Sequence, residues 1–188
     1  MLQEDTMLKK INAVISLLLI AMILIHIGVC CYSYAAMWYD PMIIKSIARI
    51  TAGLVTVHAL LSIAAFFFMH DGAALTKYPR QNLRLILLRA TALLMLLLLH
   101  PHFTAFKFME SPDPFTVQRK LLVILPEFLF FGTTLLHVGL AFTRGLITLG
   151  LLKNDRQERT ADRIMWIICG LFFAASVGII LRAVWLWH

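Results

Sequence analysis

Five apolar stretches, each long enough to cross a bilayer as a helix, occupy most of this chain. Roughly 20 residues suffice for a crossing at 1.5 Å of rise per residue. The stretches from Ile11 to Met37, Ile43 to Met69, Leu83 to Phe106, Leu121 to Thr143 and Ile164 to Trp187 all meet that length. In hydrocarbon a helix satisfies its own backbone groups, so the expected architecture is an all-α integral membrane protein, one transmembrane domain over residues 1–188 built as a five-helix bundle. The chain is 61% hydrophobic and 14% charged with a mean hydropathy of +0.84, which excludes an ordinary soluble domain. Its links, such as "HDGAALTKYPRQN" and "KFMESPDPFTVQRK", are short and polar and leave little room for an extramembrane active site.

The net charge of +7 does not describe a nucleic-acid surface, because the cations fall in links and helix ends and form no single basic face. The positive-inside rule accounts for them. Lys9, Lys10, Lys77, Arg80, Arg84, Arg144, Lys153, Arg156, Arg159 and Arg163 share one side, against Lys45, Arg49, Lys107, Arg119, Lys120 and Arg182 on the other. That bias predicts a cytoplasmic N-terminus and, after five crossings, a C-terminus outside, in a bacterial-type cytoplasmic membrane. The first stretch also has the layout of a signal peptide, with "SYAA" at Ser33 to Ala36 as a cleavage site, but its apolar run is much longer than such a segment needs. Cys30, Cys31 and Cys169 have no disulfide or metal spacing and read as buried thiols.

Histidine is the informative residue, since a polar ring in hydrocarbon costs several kcal/mol unless something pairs with it or binds it. Five of the seven lie inside the apolar stretches: His26 in the first, His58 in the second, His100 and His102 in the third, His137 in the fourth. One such ring is most simply a packing contact between helices. Four consecutive helices each carrying one is a pattern that packing does not require.

Their depths sort them. His26 lies about 22 Å and His102 about 28 Å along helices running outward, so both fall in the outer half. Along helices running inward, His58 and His137 lie about 22 to 24 Å from the outer face, in the inner half. Two imidazoles at one depth on facing helices suit a six-coordinate haem, and two such pairs imply two haems stacked across the membrane. A small ion such as zinc fits less well, because no Cys, Asp or Glu accompanies either pair at ligand spacing. Gly28, Ala59, Ser62, Ala105, Gly132 and Gly139 lie within two turns of a histidine, which suits either a flat ligand or close helix packing.

These residues resemble the diheme cytochrome b membrane-anchor subunit of succinate dehydrogenases and fumarate reductases, of the single five-helix polypeptide type. The likeness covers the chain from the second helix on. "HALLSIAAFFFMHDGAALTKYPRQN" is similar to the family's second-helix histidine with its Tyr-x-x-Arg-Asn-like loop end. "NLRLILLRATALLMLLLLHPH" resembles the third helix, where an Arg-x-Ser/Thr-Gly step precedes the haem histidine, and "HVGLAFTRGLITLGLLKNDRQER" resembles the fourth helix and its exit.

The resemblance implies two haem b groups. His26 and His102 would be the axial ligands of the outer one, and His58 and His137 those of the inner one. The family's spacing of thirteen residues after Arg89 selects His102, with His100 as the alternative. It further implies Arg89 as a partner for propionates of the inner haem and Arg49 for the outer, the alternative for Arg89 being extension to the interface. Arg84 and Arg144 read as residues extended to the interface. Asp40, Glu110, Asp113 and Glu127 read as solvated loop or helix-end acids.

The chain departs from the family in its short N-terminal segment, its brief first outer link, Ala92 in place of a glycine and Leu135 in place of an acid that some members carry. It has no dinucleotide fingerprint and no cluster-binding cysteine set. The implied function is therefore electron transfer between a membrane quinone and partner iron–sulfur and flavoprotein subunits on the cytoplasmic side, with the dicarboxylate chemistry left to the partners. Two alternatives stand beside it: the cytochrome b subunit of another respiratory oxidoreductase, and a haem-free transport or assembly subunit whose histidines relay protons.

Overall fold

The computed structural model describes residues 2–36, 38, 40–68, 79–109 and 117–186, and the side chains of residues 7–36, 38, 40–65, 82–103 and 124–182. It is helical throughout, and no strand occurs among the described residues. The five helices are α1 (Leu2–Ala36), α2 (Pro41–Phe68), α3 (Pro79–Met109), α4 (Val117–Thr148) and α5 (Asp155–Leu186). Each contains a segment long and apolar enough to cross a membrane.

The helices outrun the apolar stretches because their ends are set by capping chemistry, not by hydropathy. Asp40 Oδ1 accepts from the backbone N–H groups of Met42 (2.8 Å) and Ile43 (3.2 Å), and Pro41 opens α2 where its missing N–H costs nothing. Asn154 Oδ1 accepts from Gln157 N–H at 3.0 Å, so α5 starts at Asp155, well ahead of Ile164. α4 ends in a left-handed turn at Gly150, with φ of 71°. There Gly150 N–H donates to Ile147 O at 2.9 Å and Leu151 N–H to Leu146 O at 3.0 Å, a Schellman closure that a side chain with a Cβ would strain. Pro101 does not end α3, which continues to Met109.

The core is made by three helices. Leu19, Ile20, Ile23 and Ile27 form one stripe of α1, and Phe131, Leu135 and Val138 one stripe of α4; both close on Met165, Cys169 and Ile180 of α5. Small residues allow the approach: an added Cβ on Gly139 would stand 3.0 Å from the Trp166 ring, and one on Gly145 would stand 3.4 Å from Leu17. α2 lies against α1 and α3 against α4. Among the described residues the backbones of α2 and α3 do not approach each other, nor does α1 approach α3 or α2 approach α4. The four histidine-bearing helices therefore form a ring in the order α2, α1, α4, α3 that is open between α2 and α3.

Candidate functional site

Two polar layers cross this ring. The first end of the bundle is the one where α1, α3 and α5 begin, and the layer nearer to it contains Asn12, Ser16, His58, Ser62, Thr91 and His137. His58 Nδ1 stands 3.0 Å from Asn12 Oδ1 and 3.2 Å from Ser16 Oγ, and Asn12 Nδ2 donates to Ser62 Oγ at 3.4 Å. Across the ring, His137 Nδ1 stands 2.9 Å from Thr91 Oγ1. His58 and His137 lie within electrostatic range of each other.

The second layer lies farther along α3, about 16 Å away by the rise between Thr91 and His102. Here the ring centres of His26 and His102 are 6.2 Å apart. His102 Nδ1 stands 3.1 Å from both carboxylate oxygens of Glu127, and its ring stacks on Phe130 at 4.5 Å. Cys30 Sγ is 3.9 to 4.0 Å from the His26 ring nitrogens, one helical turn on.

The hydrogen bonds favour one placement of the ring protons. Asn12 uses its amide nitrogen on Ser62, so it presents an acceptor oxygen to His58. Ser16 spends its hydroxyl proton on Asn12 O at 2.7 Å, and Thr91 spends its own on Leu87 O at 2.8 Å and Leu88 O at 3.1 Å. Toward the rings both hydroxyls are therefore acceptors. A carboxylate is an acceptor too. A neutral His58, His137 or His102 that donates from Nδ1 meets these acceptors and keeps its lone pair on Nε2, and His137 has the Leu88 backbone as a further partner. Metal-bound histidines are held in this way, with one ring N–H tied to the protein and the other nitrogen left for the metal.

The spacing suits haem ligation as well. The ring centres of His26 and His102 are 6.2 Å apart with the rings nearly perpendicular at 81°, so one group bound between α1 and α3 would have both imidazoles within reach. The helices of each pair stand diagonally across the ring without backbone approach, as a planar group between two axial side chains requires. Among the described residues no group of three or more His, Cys, Asp or Glu side chains is arranged to hold a small metal ion. Two imidazoles per layer are a donor set that a haem at each layer would accept.

The remaining expected residues fall as follows. His100 is exposed on α3, away from the second layer, whereas His102 is only 9% exposed. Arg89 and Arg49 lie on exposed faces of α3 and α2. Gly132 and Gly139 serve packing, since an added Cβ on either would meet the Phe173 or Trp166 ring of α5. Cys30, Cys31 and Cys169 are free thiols. The side chains of Lys77, Arg80, Ala105, Lys107, Glu110, Asp113, Arg119 and Lys120, and the helix ends expected at Met37, Met69 and Trp187, lie outside the described residues.

Comparison with family models, curated proteins and solved structures finds no match.

Two expectations from sequence need correction. Glu127 is not a solvated acid: it is 7% exposed and faces His102 inside the bundle. Arg84 does not extend to an interface; it donates to Leu140 O at 3.0 Å and Gly139 O at 3.4 Å, and pairs with Asp162 Oδ1 at 2.8 Å. Thr143 donates to the same carboxylate oxygen at 2.8 Å, so α3, α4 and α5 are joined beside the first layer. Glu127 was detectable as the one acid within "ILPEFLFF", where every neighbour is apolar or proline. Asn12 and Ser16 were detectable as a polar i, i+4 pair on an apolar helix.

Proposed function

We propose that this chain spans a bacterial-type cytoplasmic membrane as the haem-b-binding anchor subunit of a succinate dehydrogenase or fumarate reductase. Its N-terminus is cytoplasmic and its C-terminus outside, and it carries electrons between a membrane quinone and cytoplasmic iron–sulfur and flavoprotein partners. The observation that carries this reading is the pairing of four helix-borne imidazoles in two layers, three of them with Nδ1 committed to a protein acceptor.

His58 and His137 would hold the inner haem, and His26 and His102 the outer one. A haem bound at each layer would supply one-electron transfer. The chain's own contribution is orientation. Asn12 and Ser16 fix the plane and tautomer of His58; Thr91 does the same for His137, and Glu127 with Phe130 for His102. Arg89 and Arg49, exposed on α3 and α2, would be the cations for propionates that reach past those helices. The dicarboxylate reaction belongs to the partner subunits.

The test is a dithionite-reduced minus oxidised spectrum of the purified chain or its complex, with haem counted per polypeptide. Two b haems are expected. A haem-free chain, recovered folded from cells that make haem, overturns the proposal.

A further inference from the structure

One imidazole in the bundle is held differently from the others. His58 is held by an amide and a hydroxyl, His137 by a hydroxyl, and His26 has a thiol beside it, all neutral groups. Among these four His102 alone is held by a carboxylate, and both members of that pair are buried, His102 at 9% and Glu127 at 7% exposure. The Glu127 oxygens are equidistant from Nδ1 at 3.1 Å, so the side chain faces the ring squarely. Phe130 stacks on the same ring at 4.5 Å and Phe131 meets its edge at 6.3 Å, which limits the room either partner has to turn away. Cys30 and Tyr34 of α1 are also within electrostatic range of the carboxylate, and neither is a cation.

We infer that Glu127 is a positioning residue that sets the reduction potential of the group bound by His102, by drawing on the Nδ1 proton and keeping a negative charge beside that ligand. The inference rests on the haem reading above and deepens it. A carboxylate accepting from Nδ1–H makes the imidazole a stronger donor through Nε2. Stronger donation, and an anion in a medium that screens poorly, favour the oxidised iron, which carries one more positive charge than the reduced iron. Glu127 therefore lowers the potential at His102 relative to the same site with a neutral acceptor. A contact that served packing alone would leave the potential where it was.

Glu127→Gln keeps the shape and an acceptor oxygen and removes the charge. In a redox titration of the full-length chain with both haems bound, the midpoint of one haem rises in this variant and the other stays at its wild-type value. Two unchanged midpoints, or a fall in either, overturn the inference while leaving the two-haem reading intact; a wild-type chain without haem overturns that reading instead. Should the variant lose a haem, the wild-type protein still decides the matter. Its electrochemically induced infrared difference spectrum contains a glutamate carboxylate band, assigned by carbon-13 labelling, that shifts with the oxidation of one haem only. No carboxylate band in that difference spectrum overturns the inference.

Discussion

Thr91 Oγ1 on α3 and His137 Nδ1 on α4 are 2.9 Å apart, and the threonine hydroxyl proton is already committed to its own helix through Leu87 O and Leu88 O. That commitment favours Thr91 as an acceptor toward His137 and Nδ1 as the donating ring nitrogen. Thr91→Val keeps the shape and removes the acceptor. Losing such a supporting contact typically lowers metal-group affinity 10- to 100-fold, so titrating haem into the haem-free variant should show weakened binding at one site and normal binding at the other. Thr91→Ser should bind as the wild type does. Equal affinity at both sites in Thr91→Val would sink the tautomer argument.

The pairing itself is tested by the ligands. His58→Ala and His137→Ala should each retain one haem, the same one in both variants. His26→Ala and His102→Ala should each retain the other. His100→Ala should retain two, because its side chain is exposed and apart from the His26–His102 contact. Haem per polypeptide and the difference spectrum of each variant read this directly, and loss of both haems from a single folded variant counts against the scheme.

The helices were legible in the sequence and their ends were not. Hydropathy records which residues suit hydrocarbon, whereas a helix continues through polar residues until a cap stops it. Asn154 and Gly150 therefore place the α4–α5 connection ahead of Ile164 and beyond Thr143. The two-layer placement of the histidines was also legible, because depth along a helix is a matter of counting residues. Their partners were not, since the face that Thr91 or Glu127 turns inward depends on which helix lies beside it. Glu127 was misread for that reason: its level matched a helix end, and only the packing of α4 on α3 turns it toward His102.

Gly139 lies two residues from His137, against the ring of Trp166. In Gly139→Ala the new methyl group meets three ring carbons at 3.0 to 3.1 Å, so the Trp166 indole, although partly exposed, or the α4 backbone has to shift by a few tenths of an ångström. Overpacking of this kind costs about 1–3 kcal/mol. Thermal unfolding in detergent should show a lowered midpoint for Gly139→Ala and recovery of much of the loss in Gly139→Ala/Trp166→Leu, where the ring is gone. An alanine variant as stable as the wild type would mean that α4 and α5 do not pack this closely.

Arg84 is the other contact that joins helices beside the first layer, and its energetics separate a clamp from a surface ion pair. An exposed pair contributes little, with a median of about 0–1 kcal/mol. Arg84 and Asp162 are both half-buried, however, and each has additional bonds, Arg84 to two carbonyls of α4 and Asp162 to the Thr143 hydroxyl. Removing one member leaves the other charge, and those carbonyls or that hydroxyl, short of a partner. Arg84→Ala and Asp162→Ala should therefore each destabilise the chain, and the double variant should cost less than their sum by about 0.5–3 kcal/mol, as expected of groups in one network. Simple additivity in a double-mutant cycle, read from unfolding in detergent, would show that the three helices are held at this end by packing alone.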